Sequence, residues 1–253
     1  MSLLIGHTGY VGGHLVDQYD FSNLANSKNI DSFLGFSTDL LVCAGLPAFK
    51  AFANANPKED FDNMERLWRV VSTIRPKRAV LVSSIDVYST PQNVNENTPS
   101  DTGANEPYGR HRAEFERRFS DHFELHQVIR LPGLFSKNLR KNLVFDLMHM
   151  RSDQLLQYNG KSTFQYFNTE RLWSVIETVI ESDISLLNVS SEPVSAGEIA
   201  AIFGVRLNET SGEKHYDMKT IHSEVFGSSS DYLFSKSQIL HEIENLLENK
   251  ELS

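Results

Sequence analysis

The chain alternates short, fully apolar segments with longer segments in which apolar residues recur every three or four positions. The apolar segments are "SLLI" at 2–5, "DLLVCAG" at 39–45, "RAVLVSS" at 78–84 and the strand within "FELHQVIRLPG" at 123–133. Runs that are apolar at every position are typical of strands buried on both faces. Helices are predicted between them, over 61–74 and from Tyr108 onward. This alternation indicates an α/β fold with a doubly wound parallel sheet.

The pattern changes after residue 140. Helices are predicted at 141–150, 169–182, 195–203 and 236–249, around short strands such as "SLLNVS" at 185–190. We therefore predict two domains. The first is a Rossmann-type domain over 1–140, and the second is mainly a small α+β lobe over 141–253, with some return to the sheet.

Composition excludes several classes of partner. The net charge is −9 at pH 7, which argues against nucleic acid and anionic membrane surfaces, since both select basic proteins. No apolar run approaches the roughly 20 residues that span a bilayer, and the first residues lack the features of a signal peptide. With one cysteine, Cys43, we expect no intrachain disulfide and a reducing, cytoplasmic location.

A glycine-rich turn follows the first apolar segment. Gly6, Gly9 and Gly12 give the pattern G-x-x-G-x-x-G between a predicted strand and a predicted helix. Glycine lets the chain turn tightly and lets the backbone approach a pyrophosphate, which then faces the free N–H groups of the helix. The position of this turn predicts a phosphate-binding loop.

An ordered set of segments resembles the extended short-chain dehydrogenases, the NAD-dependent epimerase/dehydratase family that acts on nucleotide sugars. The set comprises "GHTGYVGGHL", "CAGLPAF", "NPKEDFDNMERL", "LVSSIDVYS", "EPYGRHRAEFE", "VIRLPGLF", "RKNLVFDLM", "FQYFNTERLWSVI" and "NVSSEPVSAGEIAAIFG". The resemblance covers residues 1 to about 204. It implies a dinucleotide-binding Rossmann-type domain, a substrate lobe, NAD or NADP as cofactor, a nucleotide sugar or related polar metabolite as substrate, and a homodimer.

The resemblance also assigns roles to individual positions. Residues matched to the catalytic group are Ser84, Tyr108 and Arg112. Residues matched to the cofactor site are Gly6, Thr8, Gly9, Tyr10, Val11, Gly12, Ser27, Lys28, Asn29, Ile30, Ala44, Gly45, Asn63 and Pro132. Residues matched to the substrate site are Asp86, Lys141, Asn142 and Leu143. No metal ligands are expected.

The catalytic positions carry one substitution. Tyr108 and Arg112 are four residues apart, so a helix places them on one face, but the family has lysine where this chain has Arg112. A nearby cation favours the phenolate of a tyrosine, and Ser84 matches the residue that hydrogen-bonds the reacting oxygen. Arginine supplies charge but never releases its proton.

The adenosine pocket also departs from the family. The segment "DQYDFSNLANSK" must replace a strand and a helix, and it places no acidic residue to bind a ribose hydroxyl. Ser22, Asn23, Ser27 and Lys28 are the polar or basic candidates there, so NAD and NADP both stay open. Gly133 and Phe164 stand where the family has an asparagine and an arginine that contact substrate.

Three functions follow from these observations. The first is an NAD(P)-dependent oxidoreductase or epimerase in which Tyr108 is the acid/base. The second is a non-catalytic NAD(P)-binding sensor or support protein, suggested by Arg112 and the shortened adenosine pocket. The third is a protein whose glycine turn binds no dinucleotide.

Overall fold

The structure is a computed structural model that describes residues 1–100, 106–210 and 212–251. Within these residues, the strands are β1 (Ser2–Ile5), β2 (Asn23–Ala25), β3 (Ser37–Cys43), β4 (Arg75–Ser84), β5 (Gln92–Val94), β6 (His126–Leu131), β7 (Gly133–Phe135), β8 (Thr163–Phe164), β9 (Tyr166–Asn168), β10 (Leu186–Asn188), β11 (Val194–Ser195) and β12 (Asp217–Met218). The α-helices are α1 (Tyr10–Gln18), α2 (Lys50–Ala55), α3 (Pro57–Val71), α4 (Pro107–His122), α5 (Leu143–Met148), α6 (Ser152–Leu155), α7 (Leu172–Glu181), α8 (Ala196–Ile202) and α9 (Lys236–Glu251).

The chain divides into two compact units. Unit 1 comprises Met1–Thr90, Asn97–Arg130 and Glu170–Leu187. Unit 2 comprises Pro91–Glu96, Leu131–Thr169 and Asn188–Ser253. Residues that follow position 140 in the sequence therefore occur in both units.

Unit 1 is built on a six-stranded sheet. The strand order is β10-β6-β4-β3-β1-β2. β1 is parallel to both of its neighbours, with Leu4 opposite Leu24 on one side and Val42 on the other, and β3 is parallel to β4. The order reverses at β1, as in a doubly wound fold. The predicted α/β architecture is confirmed.

The sheet and helices α3 and α4 share one apolar core. Leu3, Leu41 and Leu81 from neighbouring strands are fully buried, as are Phe115 and Phe119 from α4. Full burial of a large apolar side chain contributes about 1.5–3 kcal/mol to folding. Cys43 also lies in this core, where burial raises the pKa of its thiol to about 11, so it is a small buried side chain rather than a nucleophile.

A buried ion pair fixes α4 to the sheet. The guanidinium of Arg130, on β6, donates to the carboxylate of Glu116, on α4, at 2.6 Å from Nη2 and 3.1 Å from Nε. Its Nη1 donates to the Tyr88 hydroxyl at 2.6 Å. Both charged side chains are nearly inaccessible to water. A charge-assisted, two-point contact of this kind orients a helix as well as attracting it.

Unit 2 contains three two-stranded sheets, which pair β11 with β8, β12 with β5 and β7 with β9. Its core combines apolar residues of α5, α8 and α9, including Leu147, Ile199 and Ile243. Helix α8 begins with a capping box, in which Ser195 and Glu198 each accept a hydrogen bond from the other's backbone N–H. Across the described residues, no helix combines the length and the apolar composition that crossing a membrane requires.

Candidate active site

The glycine turn after β1 is too tight for side chains at two of its positions. Gly6 has φ of +92°, and a Cβ there would lie 2.4 Å from the Ala44 carbonyl oxygen. A Cβ on Gly12 would lie 2.1 Å from the Gly6 carbonyl oxygen. Both distances are far inside van der Waals contact, so glycine is required at both positions. The packing of α1 against the turn therefore explains the spacing of the glycines.

This turn lies where the carboxyl ends of three strands meet. The Gly6 N–H donates to the Ala25 carbonyl, at the end of β2, at 2.8 Å. The Ala44 N–H, just after β3, donates to the Ile5 carbonyl at 2.9 Å. Helix α1 starts at Tyr10, and its N-cap residue Gly9 offers no side-chain cap to the first N–H groups. Ligands of open α/β sheets bind at this kind of edge, beside the strand where the order reverses.

The candidate adenosine residues lie at two different ends of the strands. Ser22 and Asn23 bond to Ser2 at the amino end of β1, opposite the glycine turn. Ser27 and Lys28 follow the carboxyl end of β2 and are exposed. Ser27 and Lys28 are therefore the two candidates that lie at the same end of the strands as the glycine turn.

Side-chain amides shape this short connection. Asn26 accepts a bond from the Lys28 N–H at 2.8 Å and Asn29 accepts one from the Asn26 N–H at 2.7 Å. Asn29 is exposed, whereas Ile30 is buried in the core of unit 1. Any contact of Ile30 with a ligand at the surface therefore has to use its backbone.

Tyr108 and Ser84 meet at the end of β4. Tyr108 stands in the first turn of α4 and is 8% exposed, and the Ser84 side chain lies near enough to its hydroxyl to lower its pKa. The Ser84 Oγ also accepts a bond from the Asp86 N–H at 3.2 Å. Burial raises the pKa of Tyr108, while the positive charge of Arg112 and the nearby Ser84 side chain act in the opposite direction. The catalytic roles of Ser84 and Tyr108 stay predictions.

Arg112 is held by a buried carboxylate and by backbone carbonyls. Its Nη1 and Nη2 donate to the two carboxylate oxygens of Asp60 at 2.5 Å and 3.1 Å. Nη1 also donates to the Tyr108 carbonyl at 3.2 Å, and Nη2 donates to the carbonyl of Pro47. Arg112 is 2% exposed. Its predicted contact with a cofactor ribose would therefore require it to give up a buried partner.

The guanidinium carbon of Arg112 lies 3.9 Å from the centre of the Tyr108 ring. This is a cation–π contact, and it places positive charge against the face of the ring. The Nε of Arg112 is buried and has no hydrogen-bond partner among the described residues. The arginine is thus a buried support for Tyr108.

Asp60 and His111 complete a cluster that the sequence did not predict. The His111 Nδ1 lies 2.7 Å from an Asp60 carboxylate oxygen, and both side chains are buried. Burial alone would raise the pKa of Asp60, but hydrogen bonds from Arg112 and His111 outweigh it and lower the pKa below its usual value. Asp60 is 52 residues from Arg112 in the chain, and no local pattern signals that contact.

Helix α2 contributes two further residues that the sequence did not single out. Asn54 accepts a hydrogen bond from the Tyr108 N–H at 3.0 Å and donates to the Glu106 carboxylate. It therefore caps α4 from another helix, in place of the missing side-chain cap on α4 itself. Lys50 forms an ion pair with Asp86, with 2.7 Å between Nζ and Oδ1.

The remaining cofactor candidates lie in different settings. Thr8 and Gly9 are exposed in the turn, and Tyr10 and Val11 are half-buried at the start of α1. Asn63 is half-buried in α3, three residues beyond Asp60. Gly45 is half-buried after β3.

Four candidates belong to unit 2. Asn142 has φ of +114°, its Oδ1 accepts from the Phe145 N–H at 3.2 Å, and its Nδ2 donates to the Leu134 carbonyl at 2.7 Å. It is the N-cap of α5, so both ends of its amide already have structural partners. Leu143 and Pro132 are buried, and Lys141 is exposed.

Solved structures with the same fold were found. A dTDP-4-dehydrorhamnose reductase from Bacillus anthracis, in complex with NADP, superposes with a TM-score of 0.76 at 12% identity, covering 98% of this chain and 97% of that one. MoeE5, in complex with UDP-glucose and NAD, gives 0.74 at 14% identity, covering 100% and 99%. A UDP-N-acetylglucosamine 4-epimerase from Bacillus cereus gives 0.69 at 14% identity, covering 99% of both chains.

Sequence comparison adds nothing to this result, since no family model matches the chain and no curated protein matches it significantly. At such low identity the solved structures establish the fold alone. The fold of this chain is the Rossmann-type fold shared by these nucleotide-sugar reductases and epimerases, along essentially its whole length.

Proposed function

We propose that this protein is an NAD(P)-dependent oxidoreductase or epimerase that acts on a nucleotide sugar or a related polar metabolite, with Tyr108 as its acid/base. The observation that carries the proposal is that buried Tyr108, at the start of α4, lies beside Ser84, the last residue of β4, at the carboxyl end of the sheet that also holds the glycine turn. The solved neighbours in complex with NADP, or with UDP-glucose and NAD, support the same activity.

The glycine turn fits a dinucleotide pyrophosphate. Its backbone is bare at Gly6 and Gly12 because any Cβ would collide, and Gly9, the N-cap residue of α1, has no side chain that could cap the helix. These groups would hold the phosphates by hydrogen bonds and by the partial positive charge of the helix end. The bound nicotinamide would supply hydride exchange. Ser27 and Lys28 would face the adenosine ribose, with either NAD or NADP.

The step that the protein's own side chains would carry out is proton transfer at one oxygen of the substrate. The Tyr108 Oη would donate a proton to, or accept one from, the oxygen of the reacting carbon, and the Ser84 hydroxyl would hydrogen-bond the same oxygen. The buried position of Tyr108 limits access of water to that proton. The positive charge of Arg112 behind the ring favours the phenolate.

The substrate contacts are proposed from the resemblance. The Asp86 carboxylate would accept hydrogen bonds from sugar hydroxyls. Exposed Lys141 would pair with the diphosphate, while Asn142 and Leu143 would act mainly by shaping the start of α5.

A second candidate function is supported by the Arg112–Asp60 pair. The family's lysine is replaced by a residue whose Nη atoms are all engaged inside the protein. A chain of this kind would bind the dinucleotide through the glycine turn and report its presence to a partner without turnover. Turnover on a nucleotide sugar would eliminate this candidate.

Location and assembly are proposed on separate grounds. The resemblance supports a homodimer, and the single buried cysteine supports a reducing compartment such as the cytoplasm. Light scattering coupled to gel filtration tests whether the protein is a homodimer. A monomer at micromolar concentration would contradict it.

The experiment for the proposed function has two stages. Thermal unfolding is followed with NAD, NADH, NADP and NADPH, and the cofactor that raises the midpoint is then combined with a panel of UDP- and dTDP-sugars. The proposal expects stabilisation by a cofactor and turnover of at least one sugar nucleotide. Stabilisation by a cofactor without turnover of any sugar nucleotide favours the sensor. If none of the four cofactors stabilises the protein, both the enzyme and the sensor are excluded.

A further inference from the structure

A side-chain contact that the sequence did not predict joins the glycine turn to the segment after β2. The Asn26 Nδ2 lies 3.0 Å from the Nε2 of His7, which follows Gly6 in the turn. We propose that Asn26, oriented by His7, contacts the 2′-substituent of the adenosine ribose and gives the site a preference for NADP(H) over NAD(H). This inference rests on the proposed function in one respect, namely that the glycine turn holds a dinucleotide.

The first argument is the position of Asn26 in the fold. It directly follows β2, whose last residue, Ala25, accepts hydrogen bonds from the N–H groups of Gly6 and His7 at 2.8 Å and 3.4 Å. It also stands 20 residues after Gly6 in the sequence. In Rossmann-type domains that use NAD, an acidic residue about 20 positions beyond the glycine turn binds the ribose 2′-hydroxyl. This chain has an amide in that place.

The second argument is the orientation of the amide. The Asn26 Oδ1 accepts a hydrogen bond from the Lys28 N–H at 2.8 Å, so the Nδ2 is the end that faces His7. Because an amide nitrogen only donates, the His7 Nε2 accepts this bond. The bond uses one of the two hydrogens on Nδ2, and the other can be donated to a ligand. Asn26 is half-buried, so a ligand can reach it from solvent.

The third argument is the charge of the segment. Lys28 is exposed two residues after Asn26. The only acidic residue from Asn23 to Phe33 is Asp31, and its carboxylate pairs with Arg69 on α3 at 2.5 Å. The segment therefore offers a phosphate one amide donor and one positive charge, and its single negative charge is already balanced. A 2′-phosphate gains from both groups, whereas a 2′-hydroxyl finds no carboxylate to accept its proton.

The fourth argument is that neighbouring bonds fix Asn26 in this place. Its backbone N–H donates to the Asn29 Oδ1 at 2.7 Å, and the Asn29 Nδ2 donates to the Leu24 carbonyl at 3.0 Å. His7 then holds the side chain from the glycine turn. The groups that would bind the pyrophosphate and the ribose are thus joined directly, and His7 is the positioning residue between them.

The test compares the two cofactors on the intact protein by isothermal titration calorimetry at one pH and one ionic strength. Wild type should bind NADPH at least about tenfold more tightly than NADH. Asn26→Asp should weaken NADPH binding by about tenfold or more and leave NADH binding unchanged or tighter, because a carboxylate accepts ribose hydroxyls and repels a phosphate. Adenosine 2′,5′-bisphosphate and 5′-AMP, added as competitors, should rank as NADPH and NADH do, which places the effect at the adenosine end.

Two variants of His7 test its positioning role. His7→Ala releases the Asn26 amide, so it should weaken NADPH binding more than NADH binding. His7→Gln should restore the wild-type ratio of the two affinities, because the glutamine carbonyl can accept the bond from Nδ2. An equal loss for both cofactors in His7→Ala would mean that His7 supports only the fold of the turn.

Asn245→Asp is the matched control. Asn245 lies on α9 in unit 2, and its Nδ2 is 3.2 Å from the Nε2 of His241. The substitution therefore adds the same charge beside the same kind of amide–imidazole contact, away from the glycine turn in the sequence. It should leave the ratio of the NADPH and NADH affinities unchanged.

The outcomes separate this inference from the proposed function. A wild-type preference for NADH overturns the inference, as does an Asn26→Asp variant with a wild-type circular dichroism spectrum and the wild-type affinity ratio, and turnover of a sugar nucleotide in either case keeps the proposed function. A preference for NADPH that Asn26→Asp abolishes, in a protein without turnover, keeps the inference and rejects the reaction. Binding of neither cofactor rejects both.

Discussion

Arg112 and Asp60 form a buried, two-point ion pair across 52 residues of sequence. The distances are 2.5 Å from Nη1 to Oδ2 and 3.1 Å from Nη2 to Oδ1, and both residues are 2% exposed. The pair joins α3 to α4, directly beneath the ring of Tyr108. Arg112, which stands where the family that the sequence resembles has lysine, is therefore part of the protein's interior.

Breaking this pair should destabilise the protein strongly. Arg112→Met leaves the Asp60 carboxylate buried beside His111 without its main partner, and we expect a loss of about 3–5 kcal/mol in the free energy of unfolding. Urea denaturation followed by circular dichroism measures it. Arg117→Met is the control on the same helix, because Arg117 is exposed, and it should be close to wild type. A loss below about 1 kcal/mol for Arg112→Met would mean that the pair is not formed in solution.

The same pair predicts how stability depends on pH. The pKa of Asp60 is lowered in the folded protein from 3.8, so its contribution is complete above that value and is lost as pH falls toward the folded value. Asp60→Asn should therefore flatten the decline of stability as the pH falls below about 4. Parallel urea titrations of the variant and the wild type give the difference. Curves that decline equally across this range would exclude Asp60 as the source.

The glycine turn offers a comparison between adjacent positions. A Cβ at Gly12 would lie 2.1 Å from the Gly6 carbonyl oxygen, whereas a Cβ at Gly13 meets nothing closer than the His7 carbonyl oxygen at 3.9 Å. Gly12→Ala should cost about 1–3 kcal/mol of stability and weaken cofactor binding at least tenfold. Gly13→Ala should fold at least as well as wild type, because alanine favours a helix. Equal cofactor affinity in the two variants would show that the turn is not the binding site.

Lys28 should discriminate between the two cofactors. It is exposed after β2, on the side of the glycine turn, where a 2′-phosphate would need a positive charge. Lys28→Glu should weaken NADPH binding about tenfold, which is about 1.4 kcal/mol, and leave NADH binding unchanged. Lys58→Glu, on an exposed lysine of α3, controls for net charge. If both variants affect NADPH equally, Lys28 does not contact the cofactor.

The sequence predicts the framework better than the site. Strands β1, β3 and β4 each contain an uninterrupted apolar run, "LLI", "LLVC" and "AVLV", so their identity follows from local signals. β2 has three residues and α2 has six. Elements this short contain too few positions for a hydrophobic periodicity to be recognised in the sequence.

The site depends on contacts that are distant in sequence. Tyr108 and Ser84 were recognisable because each lies in a segment that resembles the family. Asp60 and Asn54 were not, because their contacts with α4 come from packing α3 and α2 against it. Such pairings are set by the tertiary fold, and neither composition nor spacing predicts them.

Tyr108 is proposed to exchange a proton with the oxygen of the reacting carbon during turnover. The most direct measurement is kcat for wild type and Tyr108→Phe on the sugar nucleotide found to be active, with Tyr19→Phe as the control in the same unit and cofactor affinity measured for each. We expect Tyr108→Phe to bind cofactor normally, to fold normally and to lose about 10²–10⁴-fold in kcat, while Tyr19→Phe keeps the wild-type rate. A folded Tyr108→Phe protein with wild-type kcat would contradict the account.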